Sequence, residues 1–210
     1  HFGCFDFKDF DKLVPVGLIN VAFDILLSNL DFRNYRDSGV PDMRRLMKVW
    51  NYLIRYFIHT KVRVCDGRRF QKRGGVPSGS YFTQLVDSIV NYIVLDYAIL
   101  KQYGRSPAYM KVFGDDSVVA TDFRLNKYLI AEAASDVGMI INPAKSLVTD
   151  DIDEVEFLGF QLINGIPHRP LSKWLSALYC PEYPDKCWDD FATRALGLFY
   201  ANHGVCADFD

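Results

Sequence analysis

Gly114-Asp115-Asp116 lies between two apolar, β-type runs, Tyr109–Phe113 and Ser117–Thr121. Gly and Asp tolerate the backbone angles of a tight turn, so the stretch reads as a hairpin. The fold must therefore contain an antiparallel pair that displays two adjacent carboxylates on a rigid support. Adjacent acids repel unless something cationic sits between or beside them. A hard divalent ion such as Mg²⁺ fits, because it takes oxygen ligands and completes its shell from water and substrate phosphates. Taken alone, the triplet is more often a solvated turn than a catalytic one, and the rest of the chain has to decide.

With 210 residues, 50% hydrophobic and 15% aromatic, the chain holds enough apolar material for one sizeable core. No apolar run reaches the eighteen residues of a membrane span, and none is expected. No signal peptide is visible, and the chain opens on His1 rather than Met, which reads as a fragment or a processed piece. Cys4, Cys65, Cys180, Cys187 and Cys206 form no Cys-x-x-Cys pair and lie at no zinc-ligand spacing from His1, His59, His168 or His203. An odd count without a secretory signal points to reduced thiols in a cytosol-like compartment, with neither disulfides nor structural zinc. A net charge of −2 does not mark a nucleic-acid binder, but its distribution does. Lys61, Arg63, Arg68, Arg69, Lys72 and Arg73 are opposed in their segment only by Asp66. Such a patch attracts phosphate backbones, although a solvated hairpin would carry the same charges.

No repeat, low-complexity tract or flexible linker divides the chain. Cys4–Lys8 reads as a buried strand. Helices are expected over Pro15 to about Asn29, with Pro in the first turn, and over 41–60, where Leu46, Val49, Leu53, Ile54 and Phe57 keep helical spacing. Lys61–Cys65 and Arg68–Gln71 flank Asp66-Gly67, a hairpin signal. A glycine-rich loop, Gly74–Gly79, feeds a long apolar helix from about Ser80 to Gln102. After the Asp115 hairpin come a helix over Leu125–Val137, ended by Gly138, then short strands at Val155–Leu158 and Phe160–Ile163. Helices follow from about Ser172. This order predicts an α+β fold, an antiparallel sheet covered on one face by helices.

Asp6 stands at the end of the first strand, where it can face the Asp115 turn from a neighbouring strand, and Asp11 follows five residues later. Paired carboxylates on adjacent strands are what two-metal phosphoryl transfer needs, although a strand-end cap and a helix N-terminal acid account for each singly. Ser78-Gly-Ser-Tyr-Phe-Thr83 joins a flexible loop to a helix N-terminus, where free N–H groups favour phosphates. Thr83, Asp87 and Asn91 line one face of that helix, a polar stripe that is either hydrogen-bonded in the core or functional.

Together the ordered pieces Asp-x4-Asp, Ser-Gly-x3-Thr with a later Asn, and Gly-Asp-Asp resemble the palm of viral RNA-dependent RNA polymerases. Gly138-Met-Ile-Ile-Asn-Pro-Ala-Lys-Ser146 and Glu156-Phe-Leu-Gly-Phe160 look like that family's fourth and fifth palm motifs. The wording from Gly75 to Asn91 looks most like the partitivirus group of double-stranded RNA viruses. The resemblance runs from Cys4 to about Pro170. It implies a palm over 1–170 with a fingers-type insertion at about 31–77, and the start of a truncated thumb over 171–210. It implies Asp6 and Asp115 as principal metal ligands with Asp116 supporting, and two Mg²⁺ ions, or Mn²⁺, as cofactors. Asp11 would bind the incoming ribose, helped by Ser78, Gly79, Thr83, Asp87 and Asn91. Lys145 would lie near the leaving pyrophosphate. Phe157-Leu158-Gly159 would support the growing 3′ end. Implied partners are RNA template and product, ribonucleoside triphosphates and a viral capsid protein, without membrane, inside a viral particle in the host cytoplasm. The isolated chain is expected to be inactive, because the family's basic fingers segment lies upstream of the first palm motif.

Many relatives carry Asn where this chain has Asp87. An ionised Asp only accepts, and beside Asp11 it forms a like-charge pair, so its part in binding the 2′-hydroxyl stays open at this point. A reverse transcriptase would share the palm and the metals. It would carry a bulky aromatic steric gate where this chain has Asp11, and Tyr where it has Phe113. A non-catalytic RNA-binding scaffold would have no use for Asp6, Asp115, Asp116 and Lys145 together.

Overall fold

The computed structural model describes residues 1–31 and 42–209, which divide into two compact units, His1–Val148 and Thr149–Asp210. In chain order the first carries β1 (Phe2–Cys4), α1 (Phe10–Leu13), α2 (Val16–Ser28), α3 (Met43–Ile58), β2 (Lys61–Arg63) and β3 (Arg69–Gln71). It continues with α4 (Thr83–Tyr103), β4 (Tyr109–Phe113), β5 (Asp116–Ala120) and α5 (Lys127–Ser135), and ends in β6 (Leu147–Thr149) at the boundary. The expected insertion at about 31–77 includes residues 32–41, which lie outside the described residues, as does Pro41 at the head of the expected helix.

Four strands form the sheet that positions the site, in the order β4-β5-β1-β6. β5 pairs antiparallel with both β4 and β1. Its side chains alternate: Ser117 and Val119 are buried, while Asp116 is exposed. This period-two pattern marks one covered face and one open face. The covered face meets α4, which packs on β4, α2 and α5 and buries Val86, Val90, Val94, Leu95, Ala98 and Ile99. An aromatic cluster seals α2 to α3 and to the N-terminal end of α4, where Phe23 meets Trp50, Phe57 and Phe82 at ring centroid distances of 5.2–5.6 Å. Large buried rings of this kind dominate core energetics.

Helix ends follow local chemistry. Pro15 caps α2 from outside the helix, one residue earlier than its expected place in the first turn. Asp42 caps α3 by accepting from Arg45 N. Gly104, at φ 70°, ends α4 in the left-handed conformation that glycine adopts without penalty. The first strand is Phe2–Cys4, ending where the expected Cys4–Lys8 strand begins; beyond it Phe7 forms an isolated antiparallel bridge to Ile141.

In the second unit a short 3₁₀ turn precedes a three-stranded meander of β7 (Glu156–Phe157), β8 (Phe160–Ile163) and β9 (Ile166–His168). Its turns are Leu158-Gly159 (φ 55° and 77°) and Asn164-Gly165 (φ 52° and 77°). Both have positive φ at two central residues, the geometry that matches hairpin twist. α6 (Leu171–Tyr179) and α7 (Trp188–Asn202) follow. Trp174 is fully buried, with the Arg169 guanidinium over its ring at 4.6 Å.

Candidate active site

The register of β1 on β5 brings the first acid to the second pair. Cys4 pairs with Val118. Continued two residues further, the same register sets Asp6 across from Asp116. Ser117 Oγ contacts the Phe5 carbonyl at 3.5 Å, so the alignment persists past the end of the strand. Phe5 and Ser117 are buried on the helix side, so alternation sends Asp6 and Asp116 to the open face. Asp115 stands exposed at the turn beside them.

Two sets of bonds fix these acids. The segment 140–146 clasps Asp6: its N–H donates to Ser146 Oγ (3.1 Å), and its carbonyl accepts from Asn142 N (2.8 Å). From behind, α4 holds the turn. Gly114 N donates to Ser88 Oγ (2.9 Å), and Asn91 Nδ2 donates to the carbonyls of Gly114 (3.0 Å) and Asp116 (3.3 Å). Gly114 itself lies at φ 64°, where an added Cβ would stand 3.0 Å from Gln84 Nε2.

Beside the sheet end a second acid pair forms. Asp11, on the short α1, accepts a hydrogen bond from Ser78 Oγ. Asp87 is buried on α4, where the charge of Asp11 acts on it. Burial, then the charges of Asp11 and Asp115, push the Asp87 pKa up to about 7, against an opposing pull from Lys72. Asp87 is therefore about half protonated at neutral pH. A protonated carboxyl donates and accepts, as the amide of Asn does. This answers the like-charge objection raised by the sequence. Asp87 Oδ1 is buried with no hydrogen-bond partner.

The glycine-rich loop is bolted to α1. Val76 N donates to the Asp11 carbonyl (2.6 Å), and Gly75 N to that of Val14 (3.0 Å). Gly75 has φ +70°, and a Cβ there would lie 2.6 Å from the Asp11 carbonyl oxygen, so no other residue fits without displacement.

Several expected residues take other roles. Thr83 Oγ1 donates to the Pro77 carbonyl (2.7 Å), bracing the loop. Asn91 is completely buried and holds the Asp115 turn through its amide nitrogen. Lys72 leaves the basic patch: its Nζ donates to the Gly75 carbonyl (2.9 Å), and the charges of Asp11 and Asp87 act on it. Gly79 and Ser78 are exposed, at the mouth of the loop. Lys145 is exposed and makes no ion pair among the described residues. Phe157, Leu158 and Gly159 form the β7–β8 turn of the second unit, where Leu158 holds a positive φ that a branched side chain seldom adopts. Sequence reasoning missed Ser88, Gln84, Asn142 and Ser146, whose tasks come from tertiary contacts alone.

Among the described residues, no three His, Cys, Asp or Glu side chains form a group that could hold an ion unaided. Asp6, Asp115 and Asp116 are thus not the ready-made cage that the expected ligand set suggests. Carboxylates without a cation between them repel, and Mg²⁺ takes only one or two of them plus water and phosphate. The residues still fit such an ion: the donors are hard oxygens, and the charge of Asp115 adds to burial and to Asp11 in raising the Asp87 pKa.

An antiparallel sheet with helices on one face and acids at one open end is consistent with a polymerase palm. The family model for viral RNA-dependent RNA polymerase matches residues 1–194. RNA-directed RNA polymerases of white clover cryptic virus 1 and Atkinsonella hypoxylon virus are 29% and 31% identical over 94% and 96% of this chain. That of Cryptosporidium parvum virus 1 is 30% identical over 93% of it. Two crystal structures of the RNA-dependent RNA polymerase of a human picobirnavirus, one an insertion-loop deletion mutant, superpose with TM-scores of 0.74 and 0.72 at 17% and 15% identity. They cover 94% and 95% of this chain and 37% and 39% of their own. The chain belongs to the viral RNA-dependent RNA polymerase family. It spans 35–39% of the length of these curated relatives.

Proposed function

We propose that this chain is the palm-bearing core of a polymerase that copies an RNA template by joining ribonucleoside triphosphates, replicating and transcribing a viral genome. The observation that carries the reading is the opposition of Asp6 and Asp116 across β1 and β5, next to Asp115 and to the Asp11–Ser78–Asp87 cluster. Two Mg²⁺ ions, or Mn²⁺, held by Asp6 and Asp115 with Asp116 in support, would lower the pKa of the attacking hydroxyl and neutralise the leaving pyrophosphate. Asp11 accepts from the ribose, and protonated Asp87 can both donate to it and accept from it. Lys145, exposed and without an ion pair among the described residues, is available to protonate pyrophosphate. The β2–β3 ribbon supplies cations to the RNA backbone, and the Phe157–Gly159 turn supports the growing 3′ end. In this reading 1–170 is palm with a fingers-type insertion, and 171–210 begins the thumb. A capsid protein is the macromolecular partner, and the enzyme works inside a viral particle in the host cytoplasm. Among the described residues, no helix is long and apolar enough to cross a membrane.

A polar Asp11 where a reverse transcriptase needs a bulky gate favours RNA over DNA synthesis. The test is RNA-templated incorporation of ribonucleotides by the complete polymerase, with and without divalent cation. Cation-dependent incorporation that prefers ribo- over deoxyribonucleotides is expected. A preference for deoxyribonucleotides would favour reverse transcription.

A further inference from the structure

The basic segment divides into two parts. Lys61 pairs with Gln71 and Arg63 with Arg69, so Lys61, Arg63 and Arg69 share one face of the β2–β3 ribbon. Arg68 is paired with Asp66 at 2.6 Å. Lys72 behaves differently. Its backbone belongs to the ribbon, with its N–H donating to the Thr60 carbonyl (3.0 Å). Its side chain turns the other way, is half-buried, and donates to the Gly75 carbonyl (2.9 Å).

That carbonyl lies in the loop already bonded to α1 through Gly75 N and Val76 N. The same ammonium feels the charges of Asp11 on α1 and Asp87 on α4. Burial lowers the Lys72 pKa, and the two acids act against that lowering. A cation meant for phosphate would keep its hydration and its reach. This one is half-buried and held by the Gly75 carbonyl, where the charges of two acids act on it. We propose that Lys72 is a positioning residue of the nucleotide site, whose ammonium offsets the negative charge of the Asp11–Asp87 pair and ties the glycine-rich loop to the β2–β3 ribbon, so that both acids stand ready for the ribose. Lys72 therefore acts on sugar recognition and not on RNA affinity. The inference rests on the reading of the chain as an RNA-copying polymerase.

The experiment uses the complete polymerase with Lys72→Gln, Lys72→Arg and Arg69→Ala. Gln removes the charge and retains a hydrogen-bond donor, and an unchanged Tm verifies that the variant folds. The readouts are kcat and KM for ribo- and deoxyribonucleotides on an RNA template, and the salt dependence of RNA binding. Lys72→Gln is expected to raise the ribonucleotide KM and to narrow the ribo/deoxy ratio of kcat/KM by about tenfold or more. Its RNA-binding slope against salt stays unchanged. Lys72→Arg restores most of the ratio. Arg69→Ala lowers the salt slope by about 0.7 and leaves the sugar ratio in place. A Lys72→Gln enzyme with the wild-type ratio, or with a reduced salt slope, overturns the inference alone. Wild-type protein that copies no RNA overturns the polymerase reading and this inference with it.

Discussion

At the scale of single residues, the informative group is Asp87. Its folded pKa, about 7, stands above the ordinary carboxylate value of 3.8. Between those values the folded state holds a proton that the unfolded state has released, so this group's contribution to stability falls as pH rises from about 4 to about 7. Above that window both states are ionised and the cost is constant. Asp87→Asn removes the window. Relative to wild type, the variant is expected to gain about 1–3 kcal/mol at pH 8, after allowance for solvent screening. The difference should close by about pH 4. Thermal denaturation of both proteins across that range checks it, and a constant difference would show that Asp87 is not held protonated.

At the scale of elements, the site depends on how the loop and the turn are anchored. Gly75→Ala would drive a Cβ into the Asp11 carbonyl oxygen at 2.6 Å, whereas Gly79, also at positive φ (+88°), has nothing within 4 Å of an added Cβ. Both substitutions incur the left-handed backbone cost of about 1–2 kcal/mol, and only Gly75→Ala adds a clash and strains the Val76–Asp11 bond. Gly75→Ala should therefore destabilise more and impair ribonucleotide binding, measured by Tm and KM. Equal effects at the two positions would remove the loop's anchoring role.

The same contrast explains what the sequence could tell. The Asp115 hairpin, the apolar helix through Val86–Ile99 and the Asp66-Gly67 turn were legible because periodicity and turn chemistry are local. β6 and β9 were not, since three-residue strands carry too little pattern. α1 escaped for the same reason, at four residues. The acids of the site were readable from residue type and order. The work of Asn91, Lys72 and Ser88 was not, because it depends on which carbonyl or acid the fold brings within reach.

At the scale of the whole molecule, the chain presents an acidic sheet end and, on another element, a cationic ribbon. Lys61, Arg63, Arg69 and Arg73 remain for RNA once Arg68 is paired and Lys72 is turned inward. Four single-strand phosphate contacts contribute about −3 to the slope of log K against log salt. Replacing Arg69 and Arg73 together by Ala should make the complete polymerase's slope shallower by about 1.4. An unchanged slope would dismiss the ribbon as an RNA contact. In the proposed function the acids at the sheet end perform nucleotidyl transfer. Asp115→Asn keeps the size and hydrogen-bonding capacity of the side chain and removes its charge. The decisive measurement is single-nucleotide incorporation on an RNA primer–template by the complete polymerase carrying that one change, with its fold verified by an unchanged Tm. The account predicts a loss of at least about a thousandfold, roughly 4 kcal/mol of barrier. Incorporation at near wild-type rate by the folded variant would contradict it.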